Sequence, residues 1–314
     1  MLNISVSTIS SKCRFVKKLE NAIFICNLWC VFEFKFYANT EEKELRQNDT
    51  VTYSDLVQSF SLSDGHRNVL GLRTDFHVVR DGSKLRYIDE AVLNEYLLKL
   101  PKNKLSVFDP VHAHEDVKPG LFEGGFTLWD GSKDLVDYIS KHFSEKICGK
   151  NVLELGCGCG LPGIFAIKAG ACLVRFQDYN SEVLKFWTIP NVIINSECEG
   201  NADSHNGQTQ LEFFSGDWFQ LSKLWQLGAN VKFDYIFTSE TIYRTDLYER
   251  LHNIIETSLC QSGIVLLACK AAYGPGGNIF DWLTYVQSLG VFQTTIIKLT
   301  TSGVIRYIVK MIRA

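Results

Sequence analysis

Val152-Leu153-Glu154-Leu155 runs straight into Gly156-Cys157-Gly158-Cys159-Gly160, and a helix-forming stretch, Leu161 to Lys168, follows at once. This strand, glycine turn and helix constrain the chain more than any other feature. Three alternating glycines permit a sharp turn with positive φ, and no Cβ stands between the backbone and a ligand. A short apolar strand that leads into a helix must return to a parallel neighbour by a crossover. The sequence supplies those neighbours. Cys172 to Gln177 reads as the next strand, ending at Asp178, then Leu211 to Phe214, Tyr235 to Thr238 and Gly263 to Cys269. Helical patterns lie between them. Ser132 is placed to cap a helix with the stripe Leu135, Ile139 and Phe143, and Asp246 and Glu249 have capping-box spacing before Leu251, Ile254 and Ile255. Phe280 to Leu289 reads as the last helix. Phe292 to Leu299 and Val304 to Ile312 flank Thr301-Ser302-Gly303 with no helix between them, so they pair antiparallel. The expectation is an α/β fold: a Rossmann-like, seven-stranded, mostly parallel sheet with helices on both faces, an antiparallel last strand and an N-terminal extension.

The sharp signals begin near Asp116, so residues 116–314 are read as the catalytic domain and 32–115 as a weakly defined N-terminal region. In that region Val69 to Leu72 and Phe76 to Arg80 are candidate strands, and Arg86 to Leu100 reads as an amphipathic helix stopped by Pro101. Residues 1–31 are read as a leader or a dispensable extension. Their apolar run, Ala22 to Phe32, is too short to span a membrane. Asn201 to Gln210 is a polar insert and is expected to be a surface loop. Ten cysteines occur without a CxxC pair, which points to reduced thiols rather than a disulfide framework or a zinc cluster. His112 and His114 lack further ligands near them, so no metal is expected. A net charge of −3 does not suit a chain that grips nucleic acid by neutralising phosphates.

Ligands of open α/β sheets bind beyond the carboxyl ends of the strands. Gly156 and Gly158 form the first turn there. The dinucleotide fingerprint wants a glycine two residues beyond Gly158-x, but the third glycine falls one residue early and Leu161-Pro162 follow. Glu154 offers a carboxylate to an amino-acid ammonium. Asp178, ending the second strand, can accept both hydroxyls of a ribose, and Asp217 can accept from an adenine amine with Trp218 against the purine. Together these acids suit S-adenosyl-L-methionine better than a pyrophosphate.

Leu153 to Gly160, Gln177-Asp178-Tyr179-Asn180, Gly216-Asp217-Trp218 and Thr238-Ser239-Glu240-Thr241-Ile242-Tyr243 are similar to motifs of the seven-β-strand histidine protein methyltransferases. Glu123-Gly124-Gly125-Phe126-Thr127-Leu128-Trp129-Asp130 resembles that family's lead-in to its catalytic domain. The resemblance covers about 116–314. It implies methyl transfer to the τ nitrogen of a histidine in a large-subunit ribosomal protein, in cytosol and nucleus, including the nucleolus. It also implies cofactor contacts at Leu128, Trp129, Asp130, Gly131, Ser132, Gly156, Gln177, Asp178, Tyr179, Gly216, Asp217, Trp218 and Ser239. A protein partner is therefore expected, with no direct nucleic-acid or membrane contact. Asp130-Gly131-Ser132 departs from the family's usual segment here, and Glu199 to Gln210 lacks the basic residues that some members carry.

A neutral imidazole is already nucleophilic near pH 7, so the enzyme mainly aligns the reactants and fixes the ring tautomer. Glu240, Tyr243 and Asn180 are the candidates to hold the other ring N–H. The alternative acceptor is a lysine, served by the same cofactor; it must first lose a proton, and Trp129, Tyr179 and Tyr243 could surround it.

Overall fold

The structure is a computed structural model, and it describes residues 57–196, 209–227, 231–274, 276–299 and 303–314. The leader at 1–31, residues 32–56 and most of the polar insert lie outside the described residues.

Strand β4 (Asn151–Leu155) is the centre of the sheet, with β5 (Leu173–Asp178) on one side and β7 (Phe233–Ser239) on the other, both parallel to it. β6 (Gln210–Ser215) continues parallel beyond β5, and β8 (Leu259–Lys270) beyond β7. β10 (Arg306–Arg313) then runs antiparallel to both β8 and β9 (Phe292–Leu299). These are the seven expected strands, with the last antiparallel as anticipated. An eighth, β1 (Gln58–Phe60), pairs antiparallel with the outer edge of β6, giving the order β1-β6-β5-β4-β7-β8-β10-β9.

Side chains alternate across the pleat and build a core on each face. Val152, Val174, Phe176, Phe237 and Leu266 pack on one side. Leu153, Leu155, Ile236, Val265 and Leu267 pack on the other. The helices Asp130–His142 and Leu161–Lys168 contribute to the first core, and Tyr248–Ser258 and Ile279–Leu289 to the second.

The expected boundary near 116 is not a boundary of the fold. β2 (Thr74–Val78) and β3 (Lys84–Ile88) form a hairpin that docks on a helical segment, 181–196, with a π-helical turn at Leu184–Thr188. Asn191 accepts the Ile88 N–H at 2.8 Å, and Asn195 accepts the Arg86 N–H at 3.0 Å while donating to the Arg86 carbonyl at 2.7 Å. One helical turn apart, these amides satisfy the open edge of β3, which would otherwise present unpaired backbone groups. Trp187, fully buried, donates its indole N–H to the Ile88 carbonyl at 3.0 Å. The described part of the N-terminal region thus shares one compact unit with the sheet.

Three local expectations change. Arg86 to Ile88 belongs to β3, and the helix begins at Glu90, where the Asp89 side chain accepts the Val92 N–H at 3.1 Å. Val69 to Leu72 ends a 3-10 turn rather than forming a strand, whereas Phe76 to Val78 lies in β2. Ser132 does not cap its helix, which starts two residues earlier at Asp130.

Candidate active site

β4 ends at the glycine loop, and the loop is pinned to the end of β5. The Gly156 N–H donates to the Gln177 side chain at 3.1 Å, and the Gly158 N–H donates to Asp178 Oδ2 at 3.0 Å. Gly156 and Gly158 have φ of 61° and 51°, a region that a side chain rarely tolerates. A Cβ on Gly156 would also approach the Thr241 methyl to 2.9 Å.

Above this loop lies a cavity of about 320 Å³, within the size range of small-molecule sites. Of the residues anticipated as cofactor contacts, Leu128, Trp129, Ser132, Gly156, Gly158, Gln177, Asp178, Tyr179, Gly216, Asp217, Trp218 and Ser239 line it. Asp178 is buried, and burial pushes its carboxyl up to about 6 against the pull of N–H groups from Gly158, Asn180 and Tyr179. The Gly158 N–H reaches Oδ2 and the Asn180 N–H reaches Oδ1 at 3.1 Å, with the Tyr179 N–H also close to the carboxylate. A carboxylate has about four acceptor positions, so it keeps capacity for a ribose diol. Gln177 is a clamp: its oxygen also accepts the Trp218 indole N–H at 2.8 Å, and its amide donates to the Gly216 carbonyl at 2.9 Å. Asp217 accepts the Phe219 N–H at 2.8 Å and pairs with Arg250 at 2.8 Å, which fixes the far rim.

Four anticipated site residues do not line the cavity. Glu154 points away from it. In β4 it shares the sheet face of Val152, and there its carboxyl accepts the Gly163 N–H at 2.7 Å, inside the following helix. Burial raises its pKa well above the usual carboxylate range. Glu154 braces the loop-helix junction and does not line the cavity. Asp130, at the helix start, is exposed and pairs with Arg306 at 3.1 Å. Gly131 packs on Glu240; a Cβ there would lie within 2.4 Å of Glu240 Oε1. Asn180 accepts the Glu123 N–H at 3.3 Å and donates to the Leu121 carbonyl at 2.7 Å. Both ends of its amide hold the lead-in segment, and it does not line the cavity.

Glu240 and Tyr243 do border the cavity. Glu240 follows β7 with a φ of 58°, which turns the chain back over the site. Its carboxyl is buried and accepts the Tyr273 hydroxyl at 2.5 Å, while Oε1 has no hydrogen-bond partner. Burial raises its pKa, opposed by Tyr273 and by the Lys270 charge. Tyr243 donates its hydroxyl to Glu123. Burial, then the Glu123 charge, pushes the phenol far above its ordinary range, so it remains protonated.

Several residues of the site escaped the sequence reading. Glu123 accepts the Gly120 N–H at 2.8 Å and Arg244 Nη1 at 3.1 Å, and Arg244 also pairs with Asp246 at 2.5 Å. The Leu128 N–H, in the cavity wall, donates to Glu90 at 2.8 Å. Glu123 was visible in its motif, but its partners lie 120 and 121 residues away.

The residues present fit S-adenosyl-L-methionine. The cavity offers a buried carboxylate with spare acceptor positions, an indole rim and a Cβ-free loop that lets a ligand meet the backbone. The described residues hold no group of three His, Cys, Asp or Glu side chains that could bind a metal.

Comparison with known proteins agrees with this chemistry. A family model described as lysine methyltransferase matches residues 110–283. A histidine protein methyltransferase 1 homolog from Rattus norvegicus is 39% identical over 216 residues, covering 63% of this chain and 59% of that protein. The Bos taurus homolog is 35% identical over 246 residues, covering 72% and 65%. That of Dictyostelium discoideum is 44% identical over 167 residues, covering 52% and 49%. The chain therefore spans less than two thirds of the length of these curated relatives.

Proposed function

This chain belongs to the methyltransferase family that the matching model defines, and we propose that it is a protein-histidine N-methyltransferase. In this reading it transfers the methyl group of S-adenosyl-L-methionine to the τ nitrogen of a histidine, in a large-subunit ribosomal protein. The observation that carries the reading is one cavity at the carboxyl ends of β4, β5 and β7, where Asp178 and the glycine loop meet Trp129 and Tyr243. Every curated relative described above is called a histidine protein methyltransferase 1 homolog.

When bound, S-adenosyl-L-methionine supplies a methyl on a sulfonium, an electrophile that needs no metal activation. Asp178, ionised above its pKa, would hold the ribose end, and the Gln177 clamp keeps the Trp218 ring in place. Leu128 and Trp129, both half-buried, supply apolar wall to the cavity. The sulfonium would supply its methyl to the imidazole lone pair, with the electrons of the broken C–S bond left on sulfur. The protein's main contribution is alignment of the two.

Lysine is the competing acceptor, and the description of the family model favours it. The test is incubation of ribosomal subunit proteins with the enzyme and methyl-labelled cofactor, followed by hydrolysis and amino-acid analysis. Label in τ-methylhistidine supports the reading; label confined to methyl-lysine refutes it. No helix among the described residues is long and apolar enough to cross a membrane. We place the protein in cytosol and nucleus, including the nucleolus; tagged protein found only in another compartment would contradict this.

A further inference from the structure

The post-β7 loop and the lead-in segment meet across the cavity at a single polar knot. Glu123 receives three donors: the Gly120 N–H at 2.8 Å, the Tyr243 hydroxyl, and Arg244 Nη1 at 3.1 Å. The lead-in is held from below as well. The Tyr179 hydroxyl donates to the Gly120 carbonyl at 3.0 Å, and Asn180 bridges Leu121 and Glu123. Arg244 is fixed in turn by Asp246. The Glu123 carboxylate is thus immobilised, and it decides where the Tyr243 proton points.

A phenol that donates its hydrogen to a carboxylate keeps its oxygen lone pairs as acceptors. A negative partner makes that oxygen a better acceptor, because hydrogen bonds in a chain polarise one another. The Tyr243 oxygen has no second protein partner among the hydrogen bonds of the described residues, and Tyr243 and Glu123 both line the cavity. Tyr243 therefore offers a pure acceptor to whatever enters beside the cofactor. An imidazole carries one N–H and one lone pair, on different nitrogens. A fixed acceptor selects the nitrogen that keeps the proton, and so the one that attacks.

Resting on the histidine reading above, we propose that Tyr243 is a catalytic residue that accepts the π N–H of the acceptor imidazole. Glu123, held by Arg244, is the positioning residue that orients the tyrosine hydroxyl. Together they determine which ring nitrogen is methylated. The τ lone pair forms the new N–C bond while the ring keeps its π proton. The resulting imidazolium carries its charge beside the Tyr243–Glu123 pair and loses that proton to water on release. Glu123 acts through Tyr243 and does not touch the ring.

The test uses the full chain with a histidine-containing acceptor protein, and it separates τ- from π-methylhistidine by chromatography against standards. Wild-type product establishes first whether histidine is the acceptor at all, which tests the underlying reading separately. Tyr243→Phe and Glu123→Gln are then compared, each checked by calorimetry for binding of S-adenosylhomocysteine. Cofactor affinity within about threefold of wild type is expected, with a rise of the π isomer from a trace to a substantial share in both variants. A general loss of rate from structural damage would not change the isomer ratio. Exclusively τ product from both variants, or loss of cofactor binding in Glu123→Gln, would overturn the assignment.

Discussion

Asp178→Ala probes the cofactor end of the cavity. The carboxylate is buried and already receives backbone N–H groups, from Gly158 at 3.0 Å and Asn180 at 3.1 Å and with Tyr179 close by. Asp178 lines the cavity, and its remaining acceptor capacity is the part a ribose diol would use. A hydrogen bond to a charged group is worth about 1.5–3 kcal/mol net. Water entering the space left by the truncation recovers part of two such bonds, which leaves a loss of about 2–3 kcal/mol. That is roughly a 30- to 160-fold weaker dissociation constant. The assay is titration calorimetry with S-adenosylhomocysteine on protein shown by thermal melting to be folded. A pH arm follows from the same group. Its pKa is pushed up to about 6, and the ionised form is the one that binds the diol. Affinity should be level above about pH 7 and fall by up to about tenfold per unit as pH drops below 6. The alanine variant should lack this acid limb. Unchanged affinity in a folded Asp178→Ala protein, or a wild-type affinity flat from about pH 5 to 8, would refute the reasoning.

Three further outcomes are expected. Glu154→Gln should leave cofactor affinity within about threefold, because its carboxyl faces Gly163 and not the cavity; calorimetry showing a tenfold loss would restore it to the binding site. Gly163→Ala should cost about 1–3 kcal/mol in a denaturant melt, since a Cβ there would lie 2.3 Å from Phe176 and 2.6 Å from Glu154; a neutral change would mean that the helix start can shift. A fragment of residues 116–314 should be insoluble or fail to melt cooperatively, because it strips the β3 edge from Asn191 and Asn195 and exposes Trp187; a cooperative transition like that of the full chain would contradict this.

The sheet and the glycine loop were legible because their signals are local. A strand, its turn and its helix sit within about twenty consecutive residues, and the period of each pattern is carried by adjacent side chains. Asp178, Gln177 and Trp218 were legible for a related reason: each directly ends or follows a strand, where this class of fold places ligands. Glu154 was read as a cofactor contact because it occupies the same strand end, yet alternation turns its side chain to the helix-covered face shared with Val152, where it meets Gly163. The N-terminal region was illegible because its hairpin is completed from afar. Ile88 and Arg86 bond to residues more than one hundred positions later. Asn180 looked like a substrate group from its motif, but only the fold shows that both ends of its amide hold the lead-in segment. The Glu123–Tyr243–Arg244 knot was hidden by the same long separation, although each residue stood in or beside a visible motif.

The most direct measurement is the pH dependence of methyl transfer to the acceptor protein, read together with mass spectrometry of the product. A histidine acceptor should give a rate that rises and then levels at about pH 7, since an imidazole with a pKa near 6.5 is neutral above it. The product should be a single methyl group on a histidine peptide. A rate still climbing above about pH 8, with di- or trimethyl-lysine as the main product, would identify an acceptor that has to shed a proton first. That result would contradict the histidine reading and make the chain a lysine methyltransferase.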